Sequence, residues 1–133
     1  MELKGSQTEK NLWAAFAGES QAHTKYLYYA SQAKKDGYQQ ISDIFNETAR
    51  NEKAHAKIWF KLVPGVGDTK ENLADAAAGE HGEWTSMYPE FARVAREEGF
   101  DKIARLFDAV GKIEQEHDER YKILLSNVEE GKV

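Results

Sequence analysis

Apolar residues recur every three or four positions along most of this chain, and glycine or proline interrupts the pattern at three places. This periodicity predicts amphipathic helices, and strand-type alternation is nearly absent. The fold class predicted is therefore all-α. In the fourth segment, Ile103, Leu106, Phe107, Val110, Ile113 and Glu114 share one helix face. The four predicted helices run over about Ser6–Asp36, Gln39–Leu62, Thr69–Glu98 and Asp101–Val128.

Local signals predict how these helices begin and end. Gly37 and Gly99 follow the first and third segments, where a glycine commonly terminates a helix. Ser6 and Glu9 have the spacing of a capping box at the first helix. Pro89 lies inside the third segment and lacks a backbone N–H, so it predicts a kink or a local irregular turn.

The two halves of the chain resemble each other. Gly18-Glu19 matches Gly79-Glu80, Gly37-Tyr38 matches Gly99-Phe100, and the Glu52–His55 segment matches Glu114–His117. The only difference in spacing is that the first half is one residue shorter between its Glu and its Gly. The repeat predicts two similar helical hairpins, joined in a four-helix bundle with approximate two-fold symmetry.

Composition limits the classes of function. A chain of 133 residues fits one domain, residues 1–133. The net charge of −5 argues against nucleic acid as a partner, and no apolar run approaches membrane-spanning length. The N-terminal residues lack the apolar core of a secretion signal, which favours a cytoplasmic location. The absence of cysteine excludes disulfides, thiolate catalysis and metal sites built on cysteine.

The repeat carries a metal-binding pattern. Glu and His three residues apart point from the same helix face, and this spacing occurs in both halves. Each half adds a Glu from its preceding helix. Carboxylates offset the charge of two cations and can bridge them, while neutral imidazole suits iron. Four glutamates and two histidines on a bundle therefore predict a site for two iron ions: Glu19, Glu52, His55, Glu80, Glu114 and His117.

Glu83 breaks the symmetry, because the corresponding residue of the first half is Ala22. Glu83 lies three residues after Glu80, which makes it either a seventh ligand on one side or an exposed helix carboxylate. Tyr26 and Tyr88 lie near Glu19 and Glu80 along their helices, either packed in the core or hydrogen-bonded to the ligands. His23 and His81 fall outside the pattern and are interpreted as surface or supporting residues.

Several segments resemble the rubrerythrin family. They are Phe16-Ala17-Gly18-Glu19-Ser20-Gln21-Ala22, Gln40-Ile41-Ser42-Asp43-Ile44-Phe45, Ala78-Gly79-Glu80-His81-Gly82-Glu83, Met87-Tyr88-Pro89 and Ala95-Arg96-Glu97-Glu98-Gly99. The resemblance covers nearly the whole chain. It implies a ferritin-like domain that reduces hydrogen peroxide to water at a non-haem di-iron centre. It also implies that His55 replaces Glu83 as a ligand when the irons are reduced, and that Tyr26 and Tyr88 hydrogen-bond the carboxylates.

One departure from the family bears on the electron supply. Rubrerythrins usually carry a rubredoxin-like domain whose iron sits on four cysteines, and this chain has no cysteine. The resemblance therefore implies a separate rubredoxin-like electron donor. The competing hypothesis is a ferroxidase or iron-handling protein of the ferritin-like class, although Glu83 favours the peroxidase. A structural bundle without metal is disfavoured, because all seven positions are intact.

The link between the second and third helices is short for a ferritin-like bundle, in which these two helices run parallel. About seven residues must return along the bundle for one chain to build a whole site. One solution is a domain-swapped homodimer, in which the first two helices of one chain pack with the last two of its partner. The other is an ordinary bundle whose helix ends unwind.

Overall fold

The computed structural model describes residues 1–132, and its regular structure is entirely helical within that range. The predicted all-α class is confirmed, and the predicted ends of the helices lie within two residues of the observed ends. A π-helical turn, Glu83–Met87, joins the third and fourth helices, so together they form the predicted third segment. The helices are α1 (Gln7–Lys35), α2 (Gln39–Phe60), α3 (Thr69–Gly82), α4 (Tyr88–Glu97) and α5 (Asp101–Glu129).

The helices form two compact units, the first spanning Met1–Val66 and the second beginning at Gly67. In the first unit, α1 and α2 pack along each other as a hairpin. Small side chains at the interface allow close approach of the two helices, and the Ser42 hydroxyl donates a hydrogen bond of 2.7 Å to the Ala30 carbonyl. The buried alanines of this hairpin are Ala30, Ala33, Ala49 and Ala56.

In the second unit, α3, the π-helical turn and α4 all pack against α5. Ala92, Ala95 and Ala104 form a small buried cluster that Phe107 covers. Gly111 lies where α5 passes Tyr88, and an added Cβ would sit 3.2 Å from the Tyr88 Cβ. The unit is therefore a second hairpin with a tight interface, as the sequence repeat predicts.

The turns within the two hairpins are alike. Gly37 and Gly99 have φ values of 88° and 87°, which a residue with a side chain rarely adopts. After each glycine, the next backbone N–H bonds back to the last helical turn, from Tyr38 to Ala33 and from Phe100 to Ala95. Both glycines therefore end helices, as predicted.

The capping box predicted at α1 forms only in part. The Ser6 hydroxyl accepts a hydrogen bond of 3.0 Å from the Glu9 N–H, but the Glu9 carboxylate accepts from Gly5 at 3.2 Å rather than from Ser6. A complete capping box occurs instead at α3. There the Asp68 carboxylate accepts from the Glu71 N–H at 2.8 Å, and the Glu71 carboxylate accepts from the Asp68 N–H at 3.2 Å.

The irregular turn that Pro89 predicts lies just before this residue. The Tyr88 N–H bonds to the Glu83 carbonyl, five residues earlier, and the resulting π-helical turn contains one more residue than an α-helical path would need. This extra residue accounts for the longer Glu-to-Gly spacing in the second half of the chain. Tyr26 and Tyr88 thereby hold matching places, seven residues after Glu19 and eight after Glu80.

Each hairpin leaves apolar side chains exposed on the face that carries its Glu-x-x-His pair. In the first unit these are Ile41, Ile44 and Ile58, and in the second they are Ile103, Leu106, Val110 and Ile113, all between 38% and 59% exposed. Apolar stripes of this kind mark surfaces that another element covers. None of the helices described in residues 1–132 is long and apolar enough to cross a membrane.

Candidate metal centre

In the first hairpin, three of the predicted ligands lie together. Glu19 comes from α1, and Glu52 and His55 come from one face of α2. The His55 Nδ1 atom lies 3.6 Å from a carboxylate oxygen of Glu19 and 3.6 Å from one of Glu52. One ligand atom from each of the three residues falls within 4.8 Å of the others. This spacing allows the three side chains to hold one cation.

The second hairpin repeats this arrangement. Glu80 comes from α3, while Glu114 and His117 come from α5. The His117 Nδ1 atom lies 3.5 Å from Glu80 and 3.7 Å from Glu114, and these three ligand atoms also fall within 4.8 Å of one another. The sequence repeat is therefore a repeat of site geometry. Each unit presents one Glu, Glu, His triad.

Each triad contains a buried carboxylate oxygen that a bound cation would satisfy. Buried oxygens of Glu19 and Glu80, at matching positions of the repeat, find no hydrogen-bond donor within residues 1–132. A buried carboxylate oxygen without a partner costs free energy. A divalent iron ion prefers carboxylate and imidazole ligands and would satisfy these oxygens. The residues present thus fit the two iron ions predicted from the sequence.

The carboxylates of the second hairpin lie close enough to shift one another's pKa when no cation is bound. Burial, a hydrogen bond with Glu114 and the negative charges of its neighbours raise the pKa of Glu80 to about 7. Burial and Glu114 also raise the pKa of Glu83. Hydrogen bonds from these two acids lower the pKa of Glu114. Crowding thus makes the charged form of Glu80 and Glu83 costly, and bound cations would remove that cost.

Glu83 lies beside the second triad without being one of its three members. It is the first residue of the π-helical turn and is within hydrogen-bond reach of Glu114. Its side chain is partly buried. This burial argues against the alternative interpretation of Glu83 as an exposed helix carboxylate. Ala22 is partly buried in the first hairpin and offers no such group. The asymmetry of the sequence is therefore present next to the predicted ligands.

Tyr26 and Tyr88 occupy similar aromatic clusters. Their rings lie 5.9 Å from Phe45 and 6.1 Å from Phe107, respectively. Burial, followed by the negative charges of Glu83, Glu114 and Glu80, raises the pKa of Tyr88. Packing thus accounts for both rings, while the hydrogen-bonding role of their hydroxyls stays a prediction.

The two histidines outside the pattern support their hairpins. His23 contacts the Ala49 carbonyl through Nδ1 at 2.7 Å, and His81 contacts the Asp118 carboxylate through Nδ1 at 2.8 Å. Asp118 also accepts from the Trp84 indole at 2.8 Å. The sequence predictions missed Asp118 and Trp84. The available signal was that Asp118 follows His117 where Ala56 follows His55 in the first half.

Comparison with known proteins agrees with this geometry. Residues 10–125 match the family model described as Rubrerythrin. The chain is 51% identical to rubrerythrin of Porphyromonas gingivalis, covering 98% of this chain and 72% of that protein. It is also 51% identical to rubrerythrin of Nitratidesulfovibrio vulgaris, covering 98% of this chain and 75% of that protein.

A solved structure of nigerythrin in its fully reduced, all-ferrous state is 34% identical to the chain. The match covers 96% of this chain and 72% of that one, with a TM-score of 0.49. The resemblance carried by the sequence motifs is confirmed by the family model and by the curated relatives, and with it the ferritin-like class. This chain belongs to the rubrerythrin family.

Proposed function

We propose that the protein is a non-haem di-iron peroxidase that reduces hydrogen peroxide to water with electrons from an external rubredoxin-like carrier. The observation that carries the proposal is the pair of matching Glu, Glu, His triads, each with a buried carboxylate oxygen that lacks a donor within residues 1–132. A structural bundle has no need of such a pair, because buried unpartnered carboxylates destabilise it. The cytoplasmic location expected from the sequence remains a prediction.

The two triads would jointly hold the iron ions. When bound, two ferrous ions supply the two electrons that peroxide reduction requires. The four triad glutamates offset the cation charge, and His55 and His117 provide the nitrogen ligands. The raised pKa values of Glu80 and Glu83 in the metal-free protein come from burial and crowded carboxylates, which bound cations would relieve. Tyr26 and Tyr88 are proposed to hydrogen-bond the nearby carboxylates and so keep them oriented.

Glu83 and His55 are proposed to exchange as ligands of one iron between the two redox states. Glu83→Ala is expected to keep both irons and to alter mainly the oxidised state, whereas His55→Ala should alter mainly the reduced state. Crystal structures of the parent protein, oxidised and dithionite-reduced, check the exchange directly. An identical set of metal ligands in both states would contradict it.

Peroxide and oxygen distinguish the peroxidase from the ferroxidase. The anaerobic ferrous protein is mixed in a stopped-flow instrument with either hydrogen peroxide or oxygen, and oxidation is followed by absorbance. We expect oxidation by peroxide to be at least tenfold faster, and steady turnover to require added rubredoxin with its reductase. Reductase without rubredoxin is the matched control. Faster oxidation by oxygen would favour the iron-handling alternative, and equal turnover without rubredoxin would contradict the proposed donor.

A further inference from the structure

Asp118 is the only large side chain less than 2% exposed within residues 1–132, and it is a carboxylate. Its Oδ2 atom accepts from the Trp84 indole at 2.8 Å and from Lys122 at 3.1 Å, and it lies 2.8 Å from the His81 Nδ1 atom. Lys122 also lies 3.0 Å from Oδ1. Side chains from α3, the π-helical turn and α5 therefore meet at one buried carboxylate.

The network joins the helices that carry the second triad. Asp118 follows the predicted ligand His117 on α5, while His81 and Trp84 belong to α3 and to the π-helical turn. His81 precedes Glu83 by two residues, and Trp84 follows it directly. One buried carboxylate thus holds the backbone on both sides of Glu83. The Thr85 hydroxyl adds a hydrogen bond of 2.6 Å to the His81 carbonyl within the same turn.

The first hairpin has no such network. Ala56 takes the place of Asp118 and is buried without polar partners, and Ala22 takes the place of Glu83. The buried carboxylate and the additional acid therefore occur in the same hairpin. A buried ion pair is a weak source of stability, because desolvation offsets the attraction, and alanine serves the packing of the first hairpin. The network calls for a role beyond holding two helices together.

We propose that Asp118 is a positioning residue that fixes the π-helical turn through Trp84 and His81 and so holds Glu83 beside Glu114. The proposal rests on the di-iron function proposed above. Without the network, the π-helical turn can return to α-helical geometry, which rotates Glu83 by about a third of a turn away from the triad. Glu83 would then no longer lie where it can bind the iron ion.

The test compares Asp118→Asn with Asp108→Asn, which removes the same charge from an exposed carboxylate of α5. The iron-loaded, oxidised form of each full-length variant is challenged with a competing chelator, because Glu83 is proposed to be a ligand in the oxidised state. Partners of metal ligands contribute about 10–100-fold to metal affinity. We expect Asp118→Asn to weaken binding of the looser of the two irons by that factor in the oxidised state, and Asp108→Asn to hold iron like the parent.

A double-mutant cycle separates positioning from general stability. If Asp118 acts through Glu83, Asp118→Asn has no further effect on iron affinity in a Glu83→Ala background. Additive losses would overturn the proposal, as would parent-like affinity in Asp118→Asn. Trp84→Phe removes a single hydrogen bond and takes the place of Asp118→Asn in the cycle if the latter does not fold.

A measurement on the metal-free protein is independent of iron. The indole N–H resonance of Trp84, assigned by its loss in Trp84→Phe, should shift and exchange faster with solvent in Asp118→Asn. It should stay unchanged in Asp108→Asn. An unchanged Trp84 resonance in Asp118→Asn would contradict the network itself. If the parent protein binds no iron, the proposed di-iron function fails and the positioning role fails with it, a result distinct from parent-like iron binding in Asp118→Asn.

Discussion

Replacing Glu52 and Glu114 together by alanine is expected to reduce bound iron from about two ions per complete site to background. Each residue is the helix partner of a triad histidine, and each triad keeps only two ligands without it. Peroxidase activity should be lost with the iron. The measurement is iron per chain by elemental analysis after anaerobic reconstitution, together with turnover of peroxide.

The matched control is Glu47→Ala with Glu116→Ala. These two glutamates are exposed on α2 and α5, so the control removes the same charges from the same helices. Because the clustered carboxylates repel one another in the metal-free protein, replacing two of them should leave the hairpins helical, which circular dichroism checks. Iron retained by the Glu52 and Glu114 variant, or lost equally from the control, would show that the triads are not the site.

The sequence could predict the hairpins because their signals are local. Terminating glycines need only a left-handed backbone position, and Gly37 and Gly99 both adopt one. Ligand triads follow from the Glu-x-x-His spacing, because residues three apart share a helix face. The matching Glu19 and Glu80 follow from the repeat. None of these inferences depends on which side chains meet across the interface between helices.

The remaining features depend on packing and were not predictable from spacing. Pro89 indicates that a backbone hydrogen bond is missing, but whether the helix kinks or inserts an extra residue depends on what α5 offers opposite it. In this chain Trp84 and His81 find Asp118 there. In the sequence, Asp118 follows the predicted ligand His117 and has the pattern of a solvated carboxylate. Only the residues that pack against it show that it is buried.

The link between α2 and α3 has little length to spare. Lys61 and Leu62 still bond to the last turn of α2. The chain then folds back on the helix end at Gly65, whose φ is 55° and where an added Cβ would lie 2.3 Å from the Phe60 carbonyl oxygen. At the other end, the Asn72 side chain holds Gly67 through hydrogen bonds of 2.8 and 3.1 Å. Both ends of the link are therefore bent.

A single chain can build a whole site only if the link between α2 and α3 spans a longer distance than these bent ends allow. From His55 to Leu62, which still bonds to the last turn of α2, is roughly 10 Å of helix, and from the start of α3 to Glu80 is roughly 16 Å. If the two helices run parallel, as in a ferritin-like bundle, the link from Leu62 to Thr69 must return about 26 Å. The seven Cα steps from Leu62 to Thr69 span at most about 25 Å when fully extended, and this link is bent.

We therefore propose that two chains exchange hairpins. Each complete site would take Glu19, Glu52 and His55 from one chain, and its other ligands, Glu80, Glu83, Glu114 and His117, from the partner. The apolar stripes that α2 and α5 expose beside their triads would then cover each other across the dimer. An ordinary bundle would instead require the ends of α2 or α3 to unwind.

Complementation between two inactive variants decides between these assemblies. Glu52→Ala and Glu114→Ala chains, carrying different affinity tags, are unfolded, mixed and refolded with iron, and dimers bearing both tags are isolated. An exchanged mixed dimer contains one site with both defects and one site with none. It should therefore recover about half of the parent's iron and peroxidase activity per dimer, whereas dimers of either variant alone recover neither.

Mixed dimers of Glu52→Ala with a Glu52→Ala, Glu114→Ala chain are the control, because no intact site can form in them. If doubly tagged dimers form but stay without iron, each chain builds its own site and the exchange is excluded.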